Sequence, residues 1–340
     1  MTEQEVGIEL VPGIDRELND RLLAGLAAVQ QRLNEVVDHD DDFIAGAARY
    51  LSDAGGKRFR PLLTLLTAEV ARTPGDTEPA SPSVVDAAVG VELTHLASLY
   101  HDDVMDEAEL RRGVPSANVV YDNATSILVG DLLFGTASKI ISGLGAEAVG
   151  IQADTFVRLC SGQIRDDRRV PEGVDPVEHY LGVLADKTGS LIATAARYGA
   201  MFSGSNPETV LLLTEYGEKI GVVFQLADDL LDISSELEES GKTPGTDLRE
   251  GKATLPVLIA RGSTDPSDDR LKQLLAGPVE DDDELHEALT LLRAHPAMDA
   301  ARAHTLRVAD QARATLDPLD DGPAVRALRA LVDGVAQRSA

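Results

Sequence analysis

The stretch "SVVDAAVGVELTHLASLYHDDVMD", residues 83–106, joins a long apolar segment to a cluster of aspartates. Its apolar residues recur at i, i+3, i+4 and i+7, which is the spacing of one face of an α-helix. The alternation of apolar and polar residues that marks a half-buried strand is absent from it. The stretch therefore predicts a long, largely buried helix with acidic side chains at its carboxyl end.

The same helical spacing recurs along most of the chain, and convincing strand alternation is absent. Segments rich in glycine and proline interrupt it at 71–82, 111–118, 168–176, 203–207 and 239–256. Nearly every one is short, and none has the length and composition of a flexible interdomain tether. We therefore predict a single all-α domain over residues 1–340, with about a dozen helices.

The composition limits the possible partners. With 58 acidic and 31 basic residues the formal net charge is −27, which argues against nucleic acid or an anionic membrane as the main partner. Cys160 is the only cysteine, which excludes an intrachain disulfide and favours a reducing, cytoplasmic setting. The amino terminus lacks the features of a signal peptide, and no run reaches the ~18 apolar residues of a membrane span. We expect a soluble protein whose contact with a membrane, if an apolar substrate brings it there, is transient.

The pattern Asp-Asp-x-x-Asp occurs twice, as "DDVMD" at 102–106 and "DDLLD" at 228–232, each after a long apolar segment. Residues i and i+4 share a helix face, so Asp102 stacks on Asp106, and the second motif repeats this arrangement. Like charges at that spacing repel each other. A hard cation resolves the repulsion, and Mg²⁺ is typically held by one or two carboxylates together with phosphate oxygens of a substrate. Two such motifs facing each other across a helical bundle would hold several Mg²⁺ ions on a diphosphate.

Basic residues of this acidic chain gather beside glycines. They lie in "GGKRFRP" at 55–61, "RRG" at 111–113, "DKTG" at 186–189 and "GKTPGTDLREGK" at 241–252. A guanidinium group binds phosphate in a bidentate manner, and a lysine acts as a point charge. Each of these residues alone is typical of a solvated surface charge, but together, beside both acidic motifs, they indicate phosphate ligands.

In combination these elements resemble the trans-polyprenyl diphosphate synthases, the head-to-tail prenyltransferases. The likeness follows the family's order over residues 50–260, through "GGKRFRP", "ELTHLASLYHDDVMDEAELRRGVPSAN", "SILVGDLLF", "DKTGSLIATAARYGA", "GVVFQLADDLLDI" and "GTDLREGKATLP". The resemblance implies an isoprenoid synthase-like bundle around a central cavity, and elongation of an allylic diphosphate by isopentenyl diphosphate. It also implies a homodimer.

The resemblance gives individual residues roles by position. About three Mg²⁺ ions would bind the allylic diphosphate. Their protein ligands would be Asp102, Asp103, Asp106, Asp228, Asp229 and Asp232. The residues with a catalytic role would be Asp102, Asp106, Asp228 and Lys187. Further ligands of the allylic diphosphate would be Arg111, Thr188, Gln225, Lys242 and Lys252. Isopentenyl diphosphate would be bound by Lys57, Arg60, His95 and Arg112.

These roles agree with the chemistry of the implied reaction. Breaking the allylic C–O bond adds negative charge to the departing diphosphate, which Mg²⁺, lysine and arginine stabilise. The carbocation left behind needs an apolar pocket that excludes water. In this family the departing diphosphate itself usually accepts the proton, so no protein base is required.

The helix that leads into Asp102 should form a wall of the cavity for the growing chain. Read back along one face, its side chains are Ser98, Ala97, Thr94, Val91, Gly90 and Ala87. In the family, a bulky residue four or five positions before the first aspartate stops growth early. Here the open face extends ~16 Å, which predicts a product in the hepta- to decaprenyl range, the range of a quinone side chain. The alternative is that the small residues only allow a neighbouring helix to pack closely.

Other functions fit parts of the pattern. A terpene cyclase of the same fold class would ionise a prenyl diphosphate but would not use the isopentenyl residues "GGKRFRP" and His95. A noncatalytic subunit of a heteromeric synthase would be expected to lack one motif or the basic set. An acidic metal-binding scaffold predicts no order in the basic residues. A short-chain synthase, making farnesyl or geranylgeranyl diphosphate, remains open, as does what closes the isopentenyl site at the carboxyl terminus.

Overall fold

The computed structural model of the chain describes residues 11, 13–73, 75–235 and 244–337. Within these residues nearly all regular structure is helical, which confirms the prediction of an all-α fold. Their α-helices, 16 in number, exceed the predicted dozen because several single turns, such as Thr246–Arg249, form short helices of their own.

The helices are, in chain order, α1 (Arg16–Val36), α2 (Asp42–Asp53), α3 (Phe59–Ala68), α4 (Pro82–Met105), α5 (Ala117–Tyr121), α6 (Asn123–Ser142), α7 (Ala146–Asp166), α8 (Pro176–Leu184), α9 (Ser190–Phe202), α10 (Pro207–Ser234), α11 (Thr246–Arg249), α12 (Leu255–Arg261), α13 (Asp269–Leu274), α14 (Asp282–Ala294), α15 (Pro296–Ala314) and α16 (Pro323–Ala336). A π-helical turn, Ala185–Gly189, joins α8 to α9. Two-residue strands, β1 (Leu110–Arg111) and β2 (Val114–Pro115), pair in antiparallel fashion.

Polar residues at the helix starts explain several of these boundaries. The Asp15 carboxylate accepts a hydrogen bond from the backbone N–H of Leu18 at 3.1 Å, so α1 begins there. The Ser81 hydroxyl accepts from the N–H of Val84 at 3.3 Å, and Pro82 occupies the first turn of α4. Capping side chains thus turn breaker-rich segments into defined helix starts.

The described residues belong to two compact units, each discontinuous in sequence. The first unit draws on Met1–Val157, Leu191–Gly217 and Thr315–Leu331, and the second on Arg158–Ser190, Glu218–Ala314 and Val332–Ala340. The expectation of a single domain stays a prediction.

In the first unit α4 packs against α1, α2, α3, α5 and α6. Most of its apolar side chains are buried, and the buried ones lie on every side of the helix, as expected for a helix that is hydrophobic all round. Helix α6 packs closely against Gly90, because a Cβ at this position would be 2.5 Å from Cδ1 of Ile141. At Gly90, the small residue therefore allows close helix packing.

In the second unit, one core cluster includes Leu226, Leu230 and Ile233 of α10 together with leucines from α12 to α14. These buried positions surround the second aspartate motif, 228–232, and leave Asp228 and Asp232 partly exposed. The packing of α10 thus orients the motif at the edge of an apolar core.

Helix α6 differs from the expectation that no segment is long and apolar enough to span a membrane. By length and composition it is apolar enough to cross a membrane, with a mean hydropathy of 1.4 over an 18-residue window of which 33% is buried. Asp131 and Lys139 interrupt the apolar run, which is why counting consecutive apolar residues missed it. Core helices of soluble proteins pass the same test, and α6 packs along α4.

Candidate functional site

The first aspartate motif lies at the end of α4, and its three carboxylates differ in environment. Asp102 is partly exposed and Asp106 is exposed, whereas Asp103 has no accessible surface. Oδ1 of Asp103 accepts a hydrogen bond from Nε of Arg111 at 2.6 Å, and its buried Oδ2 has no hydrogen-bond partner. Burial raises the pKa of the Asp103 carboxyl, although the charge of Arg111 opposes the rise. Asp103 thus holds Arg111, and its predicted role as a metal ligand stays a prediction.

Arg111 and Arg112 lie on a tight hairpin within segment 111–118, which the sequence predicts only as a break between helices. Strands β1 and β2 flank Arg112 and Gly113, both of which have positive φ angles, 55° and 78°. Arg112 therefore points away from Arg111. Its Nη1 donates to the carbonyl oxygens of Leu51, at 2.6 Å, and of Gly55. The hairpin directs one arginine to the aspartate motif and the other to the glycine loop before α3.

Positive charge is concentrated around His95. Burial lowers the pKa of His95 well below its usual range, and the charges of Arg60, Arg112 and other arginines add to the effect, so the imidazole is neutral. Burial also lowers the pKa of Arg60 to about 10, and Arg112 adds to that shift. The Nε of Arg60 is buried without a hydrogen-bond partner. An anionic ligand would compensate both the crowded charge and this unsatisfied donor.

The second aspartate motif also has one buried carboxylate, Asp229, between Asp228 and Asp232, which are both partly exposed. Asp229 is only 5% exposed, and it accepts hydrogen bonds from Nε2 of Gln225, at 2.9 Å, and from the hydroxyl of Tyr180. Burial raises the pKa of Asp229 to about 6, and repulsion by Asp228 and Asp232 adds to the rise. The motif therefore crowds negative charge at the edge of the apolar core.

The sequence reading missed Asp247, a further carboxylate of this cluster. Burial raises the pKa of Asp247 to about 8, and the charges of Asp229 and Asp232 add to the rise. The backbone N–H groups of Thr246 and Asp247 donate to the Asp232 carboxylate at 3.2 and 3.1 Å. Asp247 lies inside "GTDLREGK", a segment in which only the basic residues match the expected chemistry of phosphate ligands.

This crowding fits a divalent cation. Among the described residues, no three His, Cys, Asp or Glu side chains are arranged as a ready metal site. Mg²⁺ does not require one, because it retains water and shares one or two carboxylates with phosphate oxygens. The raised pKa values of Asp229 and Asp247 mean that added positive charge would stabilise both carboxylates.

Lys187 and Thr188 belong to the π-helical turn between α8 and α9. Lys187 Nζ lies 2.7 Å from the carboxylate of Asp166 on α7, and the Thr188 hydroxyl lies 3.3 Å from Oε1 of Gln225. Helix α7 approaches this turn closely, since a Cβ at Gly162 would lie 2.5 Å from the backbone nitrogen of Lys187. Single π-helical turns within helices are frequent at functional sites.

A cavity of about 660 Å³ in the second unit gathers most of the ligands predicted for the allylic diphosphate. Its walls include Lys187, Thr188, Gln225 and Lys252, together with Asp229 of the second motif. Lys252 Nζ lies 2.7 Å from the carboxylate of Glu250, two residues earlier. Cationic and carboxylate groups thus line one polar cavity that is large enough for a diphosphate group with bound cations.

Other predicted residues have different surroundings. Lys242 lies outside the described residues. Lys57 is partly exposed in the loop before α3. Among the chain-length candidates, Ala97 has no accessible surface and Thr94 is 2% exposed, whereas Ser98 is partly exposed. Their effect on product length stays a prediction.

Comparisons with known proteins agree with this arrangement. A sequence model of the family described as polyprenyl synthetase matches residues 41–292. Nonaprenyl diphosphate synthase of Mycobacterium tuberculosis is 48% identical over 334 residues, which cover 97% of this chain and 98% of that protein.

Solved structures show the same fold. A geranylgeranyl pyrophosphate synthase from Corynebacterium glutamicum, complexed with calcium and isoprenyl diphosphate, is 42% identical with a TM-score of 0.84, covering 96% of this chain and 98% of its own. A polyprenyl synthase from Caulobacter crescentus, with the same ligands, is 32% identical with a TM-score of 0.85, covering 94% and 98%. Together with the family match, they confirm the resemblance read from the motifs: the chain belongs to the polyprenyl synthetase family and is a prenyltransferase.

Proposed function

We propose that the protein is a Mg²⁺-dependent all-trans polyprenyl diphosphate synthase that adds isopentenyl diphosphate units to an allylic diphosphate primer. The observation that carries this proposal is the cationic cluster around His95, where the buried Nε of Arg60 lacks a partner. A terpene cyclase has only one diphosphate substrate and would have no use for this cluster. A second substrate with its own diphosphate explains the cluster.

The residues of the second unit support binding of the allylic diphosphate. Lys187, Thr188, Gln225 and Lys252 share a cavity with Asp229. Mg²⁺, when bound, would neutralise the charge that develops on the departing diphosphate. Lys187 would then exchange its ion pair with Asp166 for the diphosphate. We propose Asp102, Asp106 and Asp228 as the principal metal ligands and assign about three Mg²⁺ ions to the complete site.

For product length we propose the hepta- to decaprenyl range, which suits a quinone side chain. The supporting observations are the small residues at Ala97 and Ser98 and the 48% identity to a nonaprenyl diphosphate synthase. A short-chain product is the second candidate. It is favoured by the close packing of Ile141 on Gly90, which narrows the face along α4, and by the likeness to a geranylgeranyl pyrophosphate synthase.

One assay tests the activity and the product length together. Purified protein is incubated with labelled isopentenyl diphosphate, farnesyl or geranylgeranyl diphosphate and Mg²⁺, and the products are separated by chain length. We expect elongation that requires Mg²⁺ and ends in the hepta- to decaprenyl range. Absence of elongation would refute the synthase and favour the noncatalytic subunit, and a stop at geranylgeranyl diphosphate would establish the short-chain alternative.

The metal ligands are tested by two single substitutions. Asp102→Ala and Asp228→Ala should each abolish elongation, because each removes a carboxylate that holds metal against the diphosphate. Asp154→Ala, at an exposed aspartate of α7, is the matched control and should leave elongation unchanged. Elongation by either motif variant at the wild-type rate would exclude that aspartate from the metal site.

We also propose that the enzyme is a cytoplasmic homodimer that contacts a membrane only transiently, for release of an apolar product. The single cysteine and the net charge of −27 support the location. An exposed apolar face on α6 and the first part of α7 supports the dimer. This face consists of Ile127, Leu128, Leu132, Val149, Phe156 and Val157, which are 36% to 66% exposed.

A further inference from the structure

A buried ion pair lies beneath the basic loop that precedes α3. Nη1 of Arg58 lies 3.0 Å from the carboxylate of Glu92 on α4, and the two side chains are only 8% and 2% exposed. Glu92 has no role assigned above, and Arg58 has only the general prediction, made for every basic residue of "GGKRFRP", that it binds phosphate. A charged pair withdrawn from water in this way is costly unless further hydrogen bonds satisfy it.

Arg58 meets that requirement through additional bonds. Its Nη2 donates to Oε1 of Gln30 on α1, at 3.0 Å, and to the carbonyl oxygen of Ser52 on α2, at 2.9 Å. Both terminal nitrogens are thus used by acceptors of the protein itself, so Arg58 is not available as a ligand for phosphate. The guanidinium joins α1, α2 and α4 at one point.

The backbone of Arg58 has an unusual conformation. Its φ of 46° and ψ of 33° lie in the left-handed region, which a residue other than glycine seldom adopts. This conformation turns the chain from the glycine loop into α3, because the Arg58 carbonyl accepts the hydrogen bond from Leu62 N–H at 2.9 Å. A strained residue of this kind persists only where its surroundings hold it, and such residues cluster at functional sites.

The pair lies close in sequence to the residues of the cationic cluster, on the loop before α3 and on α4. Arg58 follows Lys57 directly and precedes Arg60 by two residues, so the backbone conformation of Arg58 determines the positions of both residues. Glu92 lies three residues before His95, on nearly the same face of α4. An ion pair that fixes residue 58 to residue 92 therefore fixes the basic loop against the histidine.

We infer that Arg58 and Glu92 are positioning residues that hold Lys57, Arg60 and His95 in register for the diphosphate group of isopentenyl diphosphate. The inference rests on the proposed two-substrate synthase and adds residues that do not touch the ligand. Misplacement of the cluster would weaken binding of isopentenyl diphosphate while the allylic primer, bound by other residues, is unaffected.

The test uses the full-length enzyme and measures KM for each substrate separately. The double variant Arg58→Met/Glu92→Leu replaces both charges by apolar groups of similar volume, which buried ion pairs often tolerate. We expect KM for isopentenyl diphosphate to rise roughly ten-fold or more, while KM for the primer stays within about two-fold. The conservative variant Arg58→Lys retains the charge but not the forked geometry and should give an intermediate rise.

Arg32→Met/Asp86→Leu is the matched control. This pair also joins α1 to α4, with Nε of Arg32 2.9 Å from Oδ1 of Asp86, but it is partly exposed, and Asp86 lies nine residues before His95. We expect it to leave both KM values unchanged. An unchanged KM for isopentenyl diphosphate in the folded Arg58 variants, or an equal rise for both substrates, would overturn the inference. Wild-type enzyme that elongates no primer would instead refute the proposed function.

Discussion

At the scale of single residues, the two Asp-Asp-x-x-Asp motifs share one feature that their spacing does not express. In each motif the second aspartate is buried, at 0% exposure for Asp103 and 5% for Asp229. Each is held by a side chain outside its motif, Arg111, eight residues later, in one case and Tyr180, 49 residues earlier, in the other. The outer aspartates keep contact with solvent. We therefore interpret the middle carboxylates as anchors that orient the outer ones.

This interpretation predicts an effect of Tyr180 on metal activation. The Tyr180 hydroxyl donates to Asp229, so Tyr180→Phe should loosen that carboxylate without emptying the ring's position. We expect the Mg²⁺ concentration for half-maximal elongation to rise about ten-fold, as is usual when a hydrogen bond to a metal-site residue is lost. Titration of activity with Mg²⁺ at saturating substrates measures the effect.

Tyr198→Phe provides the control for Tyr180→Phe. The Tyr198 hydroxyl donates to the Ala148 carbonyl at 2.7 Å, and the Tyr198 side chain is buried. Both variants should lose about 1 kcal/mol of unfolding free energy, the typical value of one hydrogen bond. Only Tyr180→Phe should change the Mg²⁺ requirement, and an equal change in both variants would contradict an anchoring role.

At the scale of elements, helix α4 carries the expected control of product length. Ser98 is partly exposed and can accept a larger side chain, so Ser98→Phe should shorten the product with little loss of stability. Ala97 has no accessible surface, so Ala97→Phe should also destabilise the fold by about 1–3 kcal/mol through overpacking. Product chromatography and thermal denaturation measure the two effects.

Ser83→Phe, in the exposed first turn of the same helix, is the control for chain length. It should leave the product unchanged. If Ser98→Phe gives the wild-type product distribution, α4 does not bound the growing chain at that position.

The π-helical turn Ala185–Gly189 gives a second prediction at this scale. Gly162→Ala would place a Cβ 2.5 Å from the backbone nitrogen of Lys187 and must displace the turn. We expect KM for the allylic diphosphate to rise about ten-fold, because Lys187 and Thr188 move together. Gly150→Ala lies on the same helix, α7, where nothing is within 4 Å, and should not affect KM. A normal KM for Gly162→Ala would show that the turn tolerates displacement.

At the scale of the whole molecule, the sequence was sufficient for what depends on local pattern. Helical periodicity and breaker segments predicted the all-α fold, and motif order predicted the family. It was not sufficient for contacts between residues far apart in the chain. Tyr180 and Asp229 are separated by 49 positions, and Arg58 and Glu92 by 34. Periodicity shows which face of a helix is apolar, but it does not identify the partner that packs there.

The exposed apolar face on α6 and α7 belongs to this scale. The two helices meet through Phe134 and Phe156, whose ring centroids are 4.4 Å apart, and present Leu128 and Val157 outward at 66% and 64% exposure. Exposed apolar side chains grouped on neighbouring helices often mark an interaction surface. A second copy of the chain can cover it with the same face, as in a two-fold symmetric dimer.

We therefore expect the wild-type protein to be a dimer by size-exclusion chromatography with light scattering, and Leu128→Asp/Val157→Asp to be a monomer. In a dimer, the two introduced carboxylates of each chain would be buried opposite their symmetry mates, without partners. Association does not offset the free-energy cost of this burial. Leu211→Asp introduces a charge at an apolar residue that is 69% exposed elsewhere on the first unit, and it should remain a dimer. A monomeric wild type, or a dimeric double variant, would mean that this face does not join two copies, and its apolar residues would need another explanation.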